Sequence, residues 1–442
     1  MTTRRFLSLS FAFVVAIAST QCADGNDAPV QAALDLGELL GGADTLHERV
    51  VDPRVFAFPD DHGPHPTFRT EWWYFTGNLT TDEGEEFGYQ LTFFRSALTD
   101  SASFTLLPAI APDTASTAGT ANAADTTNPA DTAGTTGTAG LAGSASDARS
   151  DWRSRHAYMA HFAVSDIGAS RIHTAQRFAR AALGLAGADA RPFRVWLHDW
   201  QAARTTGNAA YDEGDDDNGM FPLRLVAVDG DVAIDLLLER GKPMVLQGER
   251  GLSRKGAEPG NASYYYSYMR MPATGTIRVN GRSHRVHGES WLDREWSTSA
   301  LSDDLQGWDW MALQFADTTE LMLYRLRRHD GSMSPFSTGT YVQRDGSTVT
   351  LHASDFTMTP TRTWRSPVDA TSYPVSWHVE VPAVRLSVTV DAAFDAQELN
   401  LAVRYWEGSV RIDGMRADSV VTGRGYLEMT GYDVTSASVA PR

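Results

Sequence analysis

A single cysteine, Cys22, is the only thiol in 442 residues, so no disulfide can close within the chain and its stability has to come from packing. Basic residues are also scarce. There are 38 Lys and Arg against 55 Asp and Glu, a net charge of −17, and no Lys/Arg block, so the electrostatic attraction that drives nucleic-acid binding is missing. The apolar run Phe6 to Ala18 falls short of the roughly 20 residues a membrane span needs. No Gly-x-Ser-x-Gly elbow is present, which removes support for a serine hydrolase of the α/β kind. The pairs His156/His161 and His284/His287 lack a third ligand at metal spacing. Asp215-Asp-Asp-Asn-Gly resembles part of a calcium loop, but the closing glutamate is absent, so it reads as a solvated turn. No metal and no cofactor are expected.

At the N-terminus Arg4 and Arg5 precede the apolar run, and Ser19-Thr-Gln-Cys follows it, which is the order of a secretory signal over residues 1–22. Export is expected, to the periplasm, the outer membrane or the medium. Two processing outcomes stay open: lipidation at Cys22, where Gln21 replaces the usual small residue, or plain cleavage near Ala16-Ile-Ala18. The membrane would be met only through such a lipid anchor. Residues 23–50 are polar and acidic and read as a tether. Between 111 and 148 bulky apolar residues nearly vanish, so the segment cannot offset its chain entropy and reads as a disordered insertion in a surface loop.

What remains is rich in β signals. Arg69 to Leu79 and Phe87 to Arg95 are aromatic and β-favouring runs around an acidic turn. Later runs alternate apolar and polar residues and turn at Asp229-Gly, Asn280-Gly and Asp330-Gly. Only Arg177 to Ala188 leaves a short helix or a close-packed loop open. Trp72-Trp-Tyr and Trp308-Asp-Trp open loosely similar hairpins, so an all-β chain with two β-barrel-like domains is expected.

The densest stretch runs from Gly288 to Phe315 and holds Glu289, Asp293, Glu295 and Asp309 among Trp291, Trp296, Trp308 and Trp310. In an extended strand Trp291, Asp293 and Glu295 share one face and Trp296 takes the other. Adding water to an unactivated alkene requires a proton donor and surroundings that tolerate a developing cation, which carboxylates and aromatic faces supply. Asp293 is the candidate acid, with Glu295 or Asp309 positioning water. Trp72, Trp73, Tyr74, Tyr265, Trp291, Trp296, Trp308 and Trp310 are candidates for a ligand-binding wall. A bland reading competes with each of these: carboxylates paired with Arg294, Arg325 or Arg327, and tryptophans serving as core.

Several motifs together carry a family resemblance: Glu71-Trp-Trp-Tyr-Phe-Thr-Gly-Asn-Leu, Ala182-Leu-Gly-Leu-Ala-Gly-Ala, Arg191-Pro-Phe-Arg-Val-Trp-Leu, Trp291-Leu-Asp-Arg-Glu-Trp, Gly307-Trp-Asp-Trp, Tyr405-Trp-Glu-Gly and Gly425-Tyr-Leu-Glu-Met-Thr-Gly-Tyr. In this order they resemble the exported lipocalin-like proteins of the AttH and carotenoid 1,2-hydratase (CrtC-like) family. The resemblance implies two lipocalin-like β-barrel domains packed together, residues 52–296 and 297–436, with a ligand cavity, and it matches Asp293 to the family's candidate acid. Family members include carotenoid hydratases, predicted secreted hydrolases and proteins encoded beside ABC transporters, so fold leaves activity open. Two classes of function follow. One is an enzyme acting on an apolar isoprenoid or lipid-like molecule by acid-assisted hydration or hydrolysis. The other is a non-catalytic carrier of such a molecule, associated with ABC transporter components.

Overall fold

The computed structural model describes residues 44, 46–98, 155–205, 219–299 and 301–432. The export signal with Cys22, most of the tether, the insertion at 111–148 and the Asp215 loop lie outside the described residues.

Strands carry almost everything that is described, with two three-residue 3-10 turns at Asp60–His62 and Pro382–Val384. The alternation read in the sequence is the reason. In Val232–Leu238, for example, Val232, Ile234, Leu236 and Leu238 are buried while the residues between them are half-exposed. The hairpin turn between Ala262–Val279 and Arg282–Ser299 uses Asn280 and Gly281, both at positive φ (51° and 74°), as a two-residue connection of this twist demands.

The strands form two barrel-like sheets, one of thirteen strands and one of ten. In the first, Thr70–Thr80 sits between Glu86–Ala97 and the distant Arg282–Ser299, and the latter pairs on with Ala262–Val279. In the second, Leu305–Phe315 sits between Glu320–Arg328 and the last strand, Ser419–Thr430, which pairs with Arg404–Arg416. Each sheet curls around its own apolar core, one including Trp73, Tyr89 and Trp200 and the other including Trp377, Trp406 and Leu427. A third core, including Tyr265, Met269, Trp291 and Trp310, joins residues from both sheets. It is this layer between the barrels that holds the candidate site.

The segment left open as helix or loop is strand on both sides of a turn, Arg171–Arg180 and Ala186–Ala190. Its alanines favour helix locally. Pairing of Arg171–Arg180 with residues 157–166 of the strand His156–Asp166 satisfies the backbone instead, and tertiary pairing overrides a weak propensity.

Candidate active site

Alternation sorts each aromatic motif onto two faces. Glu71, Trp73, Leu292, Arg294 and Trp296 turn into the first barrel. There the fully buried Glu71 bonds Arg95 and Arg294, Arg294 lies 3.9 Å over the ring of Trp73, and His65 stacks on Trp296 with ring centroids 3.8 Å apart. The two arginines outweigh the cost of burying Glu71 and hold its carboxyl well below the ordinary range. Trp72, Tyr74, Asp293 and Glu295 turn the other way, into a cavity of about 110 Å³ between the sheets, with Trp308 and Trp310 facing them from the second sheet. By the volume one buried water needs, this is room for several waters or a slender chain.

Asp293 is buried, and among the described residues it has no basic partner at salt-bridge distance. Its neighbours are neutral donors. Oδ1 accepts from Ser267 Oγ at 2.5 Å and from the Trp291 indole at 2.8 Å, whereas among the described residues Oδ2 accepts from the Tyr265 hydroxyl alone, at 2.6 Å. Burial pushes the Asp293 carboxyl up to about 7 against these hydrogen bonds, with the charge of Glu295 adding to the rise. The acid proton therefore belongs on Oδ2, the less solvated oxygen, whose remaining position is free for a ligand. Glu295 itself bonds Ser263 and Lys255, the latter at 3.0 Å. Burial opposes the Lys255 charge, but the neighbouring Glu295 prevails and raises the ammonium above its usual range.

The second sheet contributes two carboxyls, Glu407 and Glu428, that stand within the Tyr405-Trp-Glu-Gly and Gly425-Tyr-Leu-Glu motifs without being marked there as candidates. Glu407 and Glu428 are directly opposite each other across Arg404–Arg416 and Ser419–Thr430. Glu428 lines the cavity and accepts from the Trp308 indole at 2.7 Å; Glu407 accepts from the Tyr74 hydroxyl at 2.5 Å, a contact that ties the two sheets together. Burial raises Glu428 to about 7, the Trp308 bond works against the rise, and the charges of Asp293 and Glu295 add to it. Glu407 is raised well above the carboxylate range by burial and by Glu428. The available signal was the one that singled out Asp293, a carboxylate inside an aromatic strand. Lys255, His161, Tyr405 and Gln90, also in the lining, carried no such mark.

Of the residues singled out from sequence, the structure brings together Asp293, Glu295, Trp72, Tyr74, Tyr265, Trp308 and Trp310 at the cavity, with Trp291 directly behind Asp293. It does not bring Asp309, Trp73 or Trp296 there. Asp309 was expected to position water; it lies one residue out of phase with Trp308 and Trp310, fully buried on the other face, where Arg327 (2.7 Å), Arg325 (3.5 Å) and the Tyr432 hydroxyl (2.8 Å) hold it. Trp73 and Trp296 belong to the first barrel's core. Glu289 lies nearer the surface, 3.7 Å from Arg270. His284 and His287 face Glu85 and Asp82 at 2.8 and 3.7 Å.

The comparisons with known proteins agree with this architecture. A crystal structure of a candidate AttH from Nitrosomonas europaea is 30% identical, covers 87% of this chain and 99% of its own, and superposes with a TM-score of 0.65. The crystal structure of kievitone hydratase from Nectria haematococca is 13% identical, covers 90% of this chain and 99% of its own, and gives a TM-score of 0.59, a likeness of fold. No match was found among curated proteins. The family model described as AttH-like matches residues 49–130 and 136–432. Spanning nearly the whole body with two barrel-like sheets of the lipocalin kind, the chain belongs to the AttH-like family.

Proposed function

We propose that the protein is an enzyme that adds water to a carbon–carbon double bond of an apolar, isoprenoid or lipid-like molecule. The observation that carries the proposal is Asp293, a carboxyl raised to about 7 inside an aromatic cavity and held by three neutral donors rather than by a cation. Such a group holds a proton at neutral pH and is acidic enough to give it up, which is the condition for general acid catalysis. That the kievitone hydratase shares the fold adds support by analogy.

In this reading the Asp293 Oδ2 proton bonds to one alkene carbon, using the π electrons, and leaves a cation on the other. The faces of Trp72, Trp308 and Trp310 offer that cation negative potential. Water adds to the cation and its surplus proton passes to Glu428, which is raised to about the same value as Asp293. An ionised Asp293 raises Glu428, so once the acid has given up its proton the base is better able to hold one, as an acid and base pair requires. Exchange with solvent restores both.

The test is incubation of the purified protein with a panel of isoprenoid alkenes in ¹⁸O-labelled water, read by mass spectrometry. A product heavier by one labelled water is expected, and Asp293→Asn should lower its rate by about a hundredfold or more while ligand binding persists. Binding without turnover in either protein would instead identify a carrier. An Asp293→Asn protein that fails to fold would assign Asp293 a structural role.

A further inference from the structure

Away from Asp293, the cavity ends at a polar group that the hydration chemistry above does not use. Asp293 pairs in register with Tyr74, Tyr74 with Thr92 and Thr92 with His161, so one row crosses four strands of the first sheet. Three strand spacings separate its ends, about 14 Å along the sheet. At the far end His161 and Gln90 line the cavity beside Tyr405, with Phe94, Met159 and Val403 as an apolar rim.

The hydrogen bonds at this end determine which atoms are left over. The Gln90 amide nitrogen donates to Thr92 Oγ1 at 2.6 Å and reaches the Tyr405 hydroxyl oxygen at 3.5 Å. With that oxygen accepting, the Tyr405 proton points to His161 Nδ1, 2.7 Å away, which leaves the ring hydrogen on Nε2. Burial pushes His161 down to about 3, so the ring is neutral. His161 and Gln90 are both essentially fully buried, yet His161 Nε2 and Gln90 Oε1 have no partner among the described residues. One is a donor and the other an acceptor, held by the same tyrosine. Buried groups of this kind are costly unless a ligand or water completes them.

We infer that His161 and Gln90 form a subsite for a hydroxyl group, which accepts from His161 Nε2 and donates to Gln90 Oε1, so that the substrate is a hydroxylated isoprenoid rather than a pure hydrocarbon. The inference rests on the cavity being the ligand site proposed above. It orients the ligand: the hydroxyl sits at the His161 end and a double bond lies toward Asp293. Tyr405 acts as a positioning residue that fixes the histidine tautomer.

Calorimetry with farnesol and farnesyl methyl ether tests this on the full-length protein. The ether keeps the chain and the acceptor oxygen but has no proton to give Gln90. Farnesol should bind about tenfold more tightly, the scale of one well-formed hydrogen bond. Gln90→Leu should remove the preference while leaving ether affinity nearly unchanged, whereas His161→Phe, which loses the donor to the oxygen of either ligand, should weaken both by about tenfold. Equal affinity for the two ligands in the wild-type protein overturns the inference, as does a preference that survives in folded Gln90→Leu or an ether affinity untouched in folded His161→Phe, because a resident water would then satisfy the pair. The wild-type comparison decides even if the variants do not fold. Failure here, with Asp293-dependent uptake of labelled water intact, removes the subsite and leaves the catalytic proposal standing; binding of neither ligand removes the subsite as well.

Discussion

Asp293 and Asp309 are both buried aspartates next to tryptophans, and their partners give them opposite chemistry. Asp309 faces two arginines and a tyrosine, so its charge is compensated and its place is structural. Asp293 faces hydroxyls and an indole, which stabilise a carboxylate less than a cation does and leave burial in control. Of those three donors, Ser267 does most to hold Asp293 down. Ser267→Ala removes a hydrogen bond to the charged form, so the Asp293 carboxyl should rise further. If turnover needs the protonated acid, the alkaline limb of kcat/KM against pH should then move to higher pH. A limb that stays in place would show that another group supplies the proton.

At the scale of the strand, much was legible in the sequence and the reason is the two-residue repeat. Alternation alone placed Trp291, Asp293 and Glu295 on one face and Trp296 on the other, and the structure shows that division. The same rule applied to Trp308-Asp-Trp puts Asp309 opposite its tryptophans. What alternation cannot supply is the partner strand, since register between residues 70–80 and 282–299 is set by three-dimensional pairing rather than by local pattern. For that reason the opposition of Tyr74 to Asp293, and of Glu407 to Glu428, was beyond reach. Backbone proximity sets a further demand within these strands. A Cβ on Gly425 would lie 2.3 Å from the carbonyl oxygen of Ala312, and this neighbour is backbone in the paired strand. Gly425→Ala should therefore cost about 1–3 kcal/mol of stability through forced strand displacement, measurable as a lower urea midpoint. An unchanged midpoint would mean that the sheet can yield at this position.

For the molecule as a whole, the acidic cavity ties stability to pH in a direction opposite to that of a carboxylate paired with arginines, such as Glu71. Asp293 and Glu428 titrate near 7 when folded, against about 4 in an unfolded chain. Between those values the folded protein holds protons that the unfolded chain has released, so their contribution is full below about pH 4 and is lost as pH rises through 7. Glu71, lowered by its arginines, has the reverse sign: it stabilises above the unfolded carboxylate range, and that contribution is lost only in stronger acid. His161 and His156, lowered by burial to about 3 and about 4, also favour the folded state as pH rises, up to the ordinary histidine value near 6.5. The net curve mixes all of these, but a difference between proteins isolates the cavity. Asp293→Asn with Glu428→Gln keeps size and polarity and removes both titrations. The wild-type protein should lose stability relative to this variant between pH 5 and pH 8, read from urea midpoints at each pH with the slopes compared. A constant difference across that interval would mean that the two carboxyls titrate as ordinary acids, and the case for Asp293 as a proton donor at neutral pH would fall with it.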